Sequence, residues 1–533
     1  MTRPSYDVRV DWDNDGTFEG PHDNVSARVL ARTDITIRRG RDSARALSPP
    51  MAGSADMELD NRSGDYWIEN AASPLFGKIL PGRQVRIRMG MMEREFGEGE
   101  FGEGEFGDWE SEEGNGIYNV FKGFLDEPPQ DSSIEAQSTG LPCLGTLSWL
   151  RGKKISTPLY ENIRVDQALA VILDLVGAPV DTTIGLWDVG LWDVALWGSG
   201  GWPSEARVLN VAATTLLYWW LDDVDAFDAA VQLLNTEGPW AAIYEDDEGR
   251  IVFEGRHYRL LTERCTTPQA TFRAGVAGDT EPLYRSLKYM PRLRDVINVC
   301  EITVNQREEQ ALGVVWSLGA TITLGSNESR SYRAKASDPF KDAVTPVPGV
   351  DYMVTSGSLS TVSLDRNSGQ SCTITLIAGA GGAVVTGLQL RAKPLTITGT
   401  YVVTNSIDTT ASQAKYGQRK YPHDIWPEIS YLTAQDLANG IVGIYQEPKA
   451  AVNLLLQSAT YERLVQQLER QISDRVRIID PVMAMDAEFF IEAVAHNAKG
   501  VGLLETNFTC EKAVDFSIGV WDVGLWDVAV WGF

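Results

Sequence analysis

The sequence predicts an α+β chain that is mostly β and divided into several domains. Three observations carry this. At 533 residues the chain exceeds one core, and ~150 residues per domain gives about three or four. Short apolar/polar alternations bounded by Gly, Pro, Asn and Asp recur in residues 1–150 and again in 266–410. Helical spacing is confined to a few stretches of 151–265 and 411–517. A hydrophobic content of 43% with 23% charged residues is ordinary for globular protein.

Residues 1–150 read as a barrel-like β domain. Tyr6, Val8 and Val10 alternate with Asp7, Arg9 and Asp11, as on a half-buried strand. Ile35–Arg38 and Val85–Met89 repeat the pattern, Met57–Asp60 precedes the turn Asn61-Arg62-Ser63-Gly64, and Tyr118–Phe124 forms a further strand. Between Glu93 and Glu113 lie ten carboxylates and one Arg94 among glycines, which predicts a solvated loop.

Residues 151–265 read as an α/β domain. Asp166 is the expected cap of a helix carrying Leu169, Ile172, Leu173 and Val176 and stopped by Gly177. Asp225 caps a second helix, with Phe227, Ala230, Val231 and Leu234, stopped at Gly238-Pro239. Ala241–Tyr244 and Arg250–Phe253 bracket a Glu-Asp-Asp-Glu-Gly turn, a hairpin signature. Residues 266–410 are β again, opening at Val296–Val304. The Thr-, Ser-, Gly- and Val-rich run 345–400, with a strand at Cys372–Ile377, reads as a small β-sandwich. Residues 411–517 form an α+β unit: a helix started by Thr433-x-x-Asp436, strands at Ala451–Leu456, Val476–Ile478 and Phe489–Val494, and a short helix at Tyr461–Arg470.

A five-residue aromatic beat interrupts this plan. It places Trp187, Trp192 and Trp197 in an insertion at 184–202, and Trp521, Trp526 and Trp531 in a C-terminal tail at 518–533. A cruder form spaces Phe96, Phe101 and Phe106 in the acidic loop. A period of five fits neither a helix face nor a strand face, so the beat suits a turn-rich coil. Rings of this size seek cover. Three readings stand: a self-packed ladder, a contact between subunits, or a platform for stacking sugars.

The net charge of −26 argues against a nucleic-acid-binding surface, which needs Lys and Arg to neutralise phosphates. An acidic wall remains compatible with DNA that passes without sticking. Five scattered cysteines, Cys143, Cys265, Cys300, Cys372 and Cys510, contain no CxxC pair and read as reduced thiols. The N-terminus has no apolar signal core, and no run reaches the ~18 apolar residues of a membrane span. Synthesis in a reducing cytoplasm and no stable membrane insertion are therefore expected.

The spacing Asp11-x-Asp13-x-Asp15-Gly16 offers three carboxylates around one loop, with a Gly for the bend that calcium loops need. The twelfth position is His22 where a closing acid belongs, and Glu19 would have to help. The competing reading is a tight Asn14-Asp15-Gly16 turn between strands. Of the four histidines, none lies in a nucleophile motif, and G-x-S-x-G, H-E-x-x-H and the P-loop pattern are absent from the sequence. No catalytic residue is nominated, and the chain reads as non-enzymatic.

Several phrases resemble a known family. They are Tyr6-Asp7-Val8-Arg9-Val10-Asp11-Trp12-Asp13-Asn14-Asp15-Gly16, the run from Arg41-Asp42 to Ser48-Pro49, Leu59-Asp60-Asn61-Arg62-Ser63, Leu80-Pro81-Gly82-Arg83 with Val85-Arg86-Ile87, and Gly123-Phe124-Leu125-Asp126. Tyr416-Gly417, Ile472-Ser473-Asp474 and Glu492-Ala493-Val494-Ala495-His496 join them. Together they are similar to the minor tail proteins that form the tail hub of long-tailed bacteriophages, in particular phages of actinobacteria. The resemblance implies a hub ring at the distal tip of the virion tail, commonly a homotrimer, with two barrel-like domains per chain. It implies contact with a distal tail or tube protein, a tape measure protein and tip or receptor-binding proteins, with DNA as passing cargo and a gate that opens on host contact. The rivals are a carbohydrate-binding adhesin using the Trp repeats and a tail-associated cell-wall hydrolase.

Overall fold

The computed structural model describes residues 4–41, 47–91, 116–131, 137–177, 206–274, 284–500 and 502–513. The fold is mostly β and is built from several sheets. The largest is a twelve-stranded sheet with six strands from residues 4–144, two from 270–290 and four from 451–512.

The N-terminal six follow from the alternations. Pro4–Val10 pairs antiparallel with Gln84–Met91, placing Val8 opposite Ile87 and Val10 opposite Val85. Ile117–Leu125, Cys143–Leu144, Pro50–Asp56 and Ile35–Arg41 follow in that order across the sheet. Val8, Val10, Ile37, Val85, Ile87 and Val120 form its core. The helix Tyr461–Glu469, from far along the chain, closes this core with Leu464 and Leu468. Burying each such side chain contributes about 1.5–3 kcal/mol.

The C-terminal six are Ala270–Arg273, Arg475–Asp480, Met485–Lys499, Leu503–Lys512, Ala451–Gln457 and Ser286–Met290. Their core is more aromatic, with Phe272, Phe489 and Phe508 buried and the rings of Phe272 and Phe508 6.2 Å apart. The long strand Met485–Lys499 joins the two halves. Its first part pairs with Arg475–Asp480, and its second pairs with Ile35–Arg41, from Gly40 opposite Ala493 to Ile35 opposite Ala498. The first six-stranded unit lies within the 1–150 read as barrel-like, whereas the second takes four of its six strands from 451–512, read as the α+β unit, and neither closes among the described residues. The physical reason is visible in the N-terminal unit: the free edge of Ile35–Arg41 is taken by 493–498 and not by Pro4–Val10.

Between these ends lie the central helices. Val165–Val176 and Ala226–Glu237 pack with Tyr431–Tyr445 into the largest core. Asp225 caps its helix as expected, accepting from the Phe227 and Asp228 amides. Gly177 and Gly238 end the two helices with φ of 71° and 102°. Two boundaries differ from expectation. Arg164, not Asp166, is the first N-cap, because the buried Asp166 carboxylate accepts from the Arg164 side chain and the Ala212 amide instead of from the first turn. Ser430, not Thr433, starts the later helix, its hydroxyl accepting from the Thr433 amide. The strands Lys154–Arg164 and Thr215–Asp225 were not expected; they pair antiparallel beside these helices. The run 345–400, read as a sandwich, falls within two larger sheets that face across Phe340, Ile374, Leu376, Val385 and Leu390 and take in strands from Gly313 onward; one of them also takes in Val299–Glu309 and Lys420–His423.

Candidate functional site

Phe96, Phe101, Phe106, Trp187, Trp192, Trp197, Trp521, Trp526 and Trp531 lie outside the described residues. The Asp11–Gly16 segment is described, and it forms a turn. Asn14 and Gly16 take positive φ of 57° and 81°. Asp11, almost fully buried, accepts the Asp15 amide at 3.1 Å and the Gly16 amide at 2.9 Å. Asp15 turns the other way, to the Thr17 amide and hydroxyl, both at 2.9 Å. Asp13 pairs with Lys78. The three carboxylates are thus not brought together, and no cluster of three or more His, Cys, Asp or Glu side chains suited to a metal occurs among the described residues. Asp23 is the neighbour that the spacing missed: buried, it accepts from the Gly20 amide, and burial pushes its carboxyl up, with Asp11 and Asp13 adding to the push.

The charged groups that do converge lie where the two half-sheets meet the central domain. Gly40 makes the approach possible. Its φ is +114°, and a Cβ there would collide with the Glu492 carbonyl and Ala493. Behind it the Glu492 carboxylate is fully buried. It accepts from both terminal nitrogens of Arg259, one at 3.1 Å, and pairs with Arg41 Nε at 3.0 Å. Arg259 also donates to the Ser473 hydroxyl at 3.0 and 3.2 Å. Arg41 donates to the Ser48 carbonyl at 2.9 Å and to the Ala241 carbonyl. Burial pushes the Glu492 carboxyl up, but the Arg259 and Arg41 guanidiniums outweigh it and hold the group below its ordinary range. One carboxylate thereby ties the N-terminal strand, the central segment and the C-terminal strand.

A second buried carboxylate sits nearby. Glu245 accepts from the Gly53 amide at 2.9 Å and from the Leu147 amide. Gly53 and Gly145 line its seat, and a Cβ on either would strike the carboxylate. Burial pushes its carboxyl up to about 7, against the pull of those two amides and of Arg39. Sequence reasoning missed both acids. A signal for Glu492 existed: it is the one charge in the apolar run Phe489-Phe490-Ile491-Glu492-Ala493-Val494.

The cysteines and His496 belong to the core. Burial pushes the thiols of Cys265 and Cys372 up to about 11 and that of Cys300 to about 12. They stay protonated at neutral pH and are poor nucleophiles. His496 is fully buried, with Nδ1 2.9 Å from the Thr506 hydroxyl, and burial lowers it to about 3.

One pocket, of about 200 Å³, opens where the central domain meets the sandwich. Tyr218 and Trp220 of the strand Thr215–Asp225, Gln232 of the following helix, Lys335 and the loop residue Trp426 line it. The loop is pinned: the Leu217 amide donates to the Glu428 carbonyl at 2.7 Å, and the Glu428 amide donates to the Tyr218 carbonyl at 3.2 Å. Asp222 anchors the opposite wall. It accepts from Arg333 at 2.7 Å and from the Ser371 hydroxyl at 2.9 Å, and pairs with Lys335 at 2.6 Å. Burial pushes the Asp222 carboxyl up, but these donors outweigh it and hold it well below the usual range.

No family model and no curated protein matches the chain. Solved structures of similar path do exist. A tail protein from Neisseria meningitidis MC58 is 9% identical, with a TM-score of 0.47 and 96% of each chain covered. The 43 kDa tail protein of prophage MuSo2 from Shewanella oneidensis is 11% identical, with a TM-score of 0.42, covering 95% of this chain and 98% of that one. The prophage tail protein gp18 from Listeria monocytogenes EGD-e is 8% identical, with a TM-score of 0.36, covering 95% and 94%. At such identities and scores none of them assigns a role to any residue of this chain.

Proposed function

We propose that this chain is a structural, non-enzymatic subunit of a phage tail, a hub protein that closes into a ring, as a homotrimer, at the distal end of the tail tube. The observation that carries the reading is the twelve-stranded sheet. Each chain offers two six-stranded units joined strand to strand at Ile35–Arg41 and Met485–Lys499. Three chains around a closed axis would present six such units in one ring. The buried Glu492 junction supports it, because a part that bears load between tube and tip needs its two units held at a fixed angle.

In this reading one side docks to a distal tail or tube protein and meets the tape measure protein, and the other carries tip or receptor-binding proteins. DNA is passing cargo, and the chain's net charge of −26 keeps phosphate from adhering to the passage. The gate opens on host contact. Trp187, Trp192 and Trp197 with Trp521, Trp526 and Trp531 serve as subunit or partner contacts, as do Phe96, Phe101 and Phe106. A calcium ion at Asp11, Asp13 and Asp15 would require the turn to open and Lys78 to release Asp13. Calorimetric titration of the chain with millimolar calcium tests that point, and zero heat removes it.

Light scattering on the purified chain, with and without residues from Ile518 onward, tests the ring. A trimer that dissociates on truncation supports both the hub and the role of the final repeat. A monomer at all concentrations, with no ring on adding a tube protein, contradicts the hub.

A further inference from the structure

We propose that the pocket between the central domain and the sandwich binds a single neutral pyranose ring, through residues separate from the aromatic repeats. Its mouth carries Trp426, whose side chain is 53% exposed although the loop that holds it is fixed by backbone hydrogen bonds. An indole in that position presents a ready apolar face to a ligand. Trp220 lies within and is tightly set: a Cβ on Gly369 would collide with it, and the Arg307 guanidinium stands 5.4 Å from its ring centroid.

The polar groups narrow the ligand class. The Gln232 side-chain oxygen is buried and has no hydrogen-bond partner among the described residues. It calls for a donor from the ligand, and a wholly apolar guest would leave it unsatisfied, at about 1–3 kcal/mol. Asp222 is already occupied by Arg333, Lys335 and Ser371, so a ligand cation gains little there. A neutral ring with hydroxyl donors and a C–H face answers both demands: the hydroxyls meet Gln232, and the weakly positive C–H edge meets the negative face of the indole. The volume of about 200 Å³ lies below the ~300–1,000 Å³ of pockets for drug-sized ligands, which fits one ring with the remainder of a chain outside.

The inference does not depend on the hub reading, because its test uses the isolated full-length chain and reads no assembly. Glucose, galactose, mannose and N-acetylglucosamine, each as free sugar and as methyl glycoside, are titrated while saturation transfer to the sugar protons is recorded by NMR. At least one ring is expected to bind saturably in the millimolar range. Trp426→Ala and Gln232→Leu should each weaken it about 10-fold with the thermal midpoint unchanged. Equal binding of the methyl glycoside marks a unit within a polysaccharide, whereas binding of the free sugar alone marks a soluble saccharide. No saturable transfer from any of the sugars overturns the proposal. So does transfer that survives Trp426→Ala undiminished.

Discussion

Glu492 and Glu245 are both fully buried, and both tie one part of the chain to another, yet their environments push them in opposite directions. Glu492, on the strand that joins the half-sheets, has two guanidiniums against it and is held ionised. Glu245, where the central domain meets the N-terminal half, has two backbone amides and a glycine seat, and burial carries its carboxyl up to about 7. Burial alone does not fix the charge of an acid. A paired guanidinium outweighs desolvation, and neutral donors with a more distant cation do not.

The largest expected effect comes from removing the acid that holds two charges. Glu492→Ala leaves Arg41 and Arg259 buried without their carboxylate, which should cost about 3–5 kcal/mol in urea unfolding. Adding Arg41→Met and Arg259→Met to Glu492→Leu should restore most of the loss. A single substitution that costs under ~1 kcal/mol would break the contrast.

The next effect is a pH dependence of opposite sign at the two acids. The Glu245 carboxyl is raised from an ordinary 4.5 to about 7, so the native state holds its proton more tightly. Its stabilisation is full below pH ~4.5 and is lost as pH rises toward ~7, a change of about 3 kcal/mol. Glu492, held below its ordinary range, stabilises above pH ~4.5 and loses this as pH falls. Thermal unfolding from pH 4.5 to 7.5 should therefore fall less steeply in Glu245→Gln than in the natural chain. Identical slopes would mean that the amide seat keeps Glu245 ionised throughout.

The smallest effect separates the junction from an ordinary turn. Gly40→Ala meets both a φ of +114° and the backbone of the joining strand, and should cost about 2 kcal/mol or more. Gly82→Ala, at φ +87° with open space around it, should cost about 1 kcal/mol. Equal costs would show that the two strands can part at little expense.

Much of the fold was legible in local chemistry. The alternations at Val8, Val10, Val85 and Ile87 name strands, because a strand with one buried face must alternate. Asp225, Gly177 and Gly238 mark helix ends through capping and positive φ. Thr433 reads as the cap of the later helix, but Ser430, three residues earlier, is the cap the chain uses. The joining of the two half-sheets was not legible, since the pairing of Gly40 with Ala493 spans nearly the whole chain and strand patterns carry no record of distant partners. The spacing of Asp11, Asp13 and Asp15 admits both a cage and a turn, and the turn forms. The pocket was invisible because Trp220 with Gln232, Lys335 and Trp426 come from three stretches far apart in the chain.

The central claim is that two joined β units per chain become six around a tail axis. Cryo-electron microscopy of assembled tails tests it most directly. The account predicts three copies at the distal end of the tube, with N-terminal and C-terminal half-sheets alternating around the axis and the Gly40–Ala493 pairing intact in each. A ring of six chains presenting only one half-sheet to the tube, or tails in which this chain is absent from the tip, would contradict it.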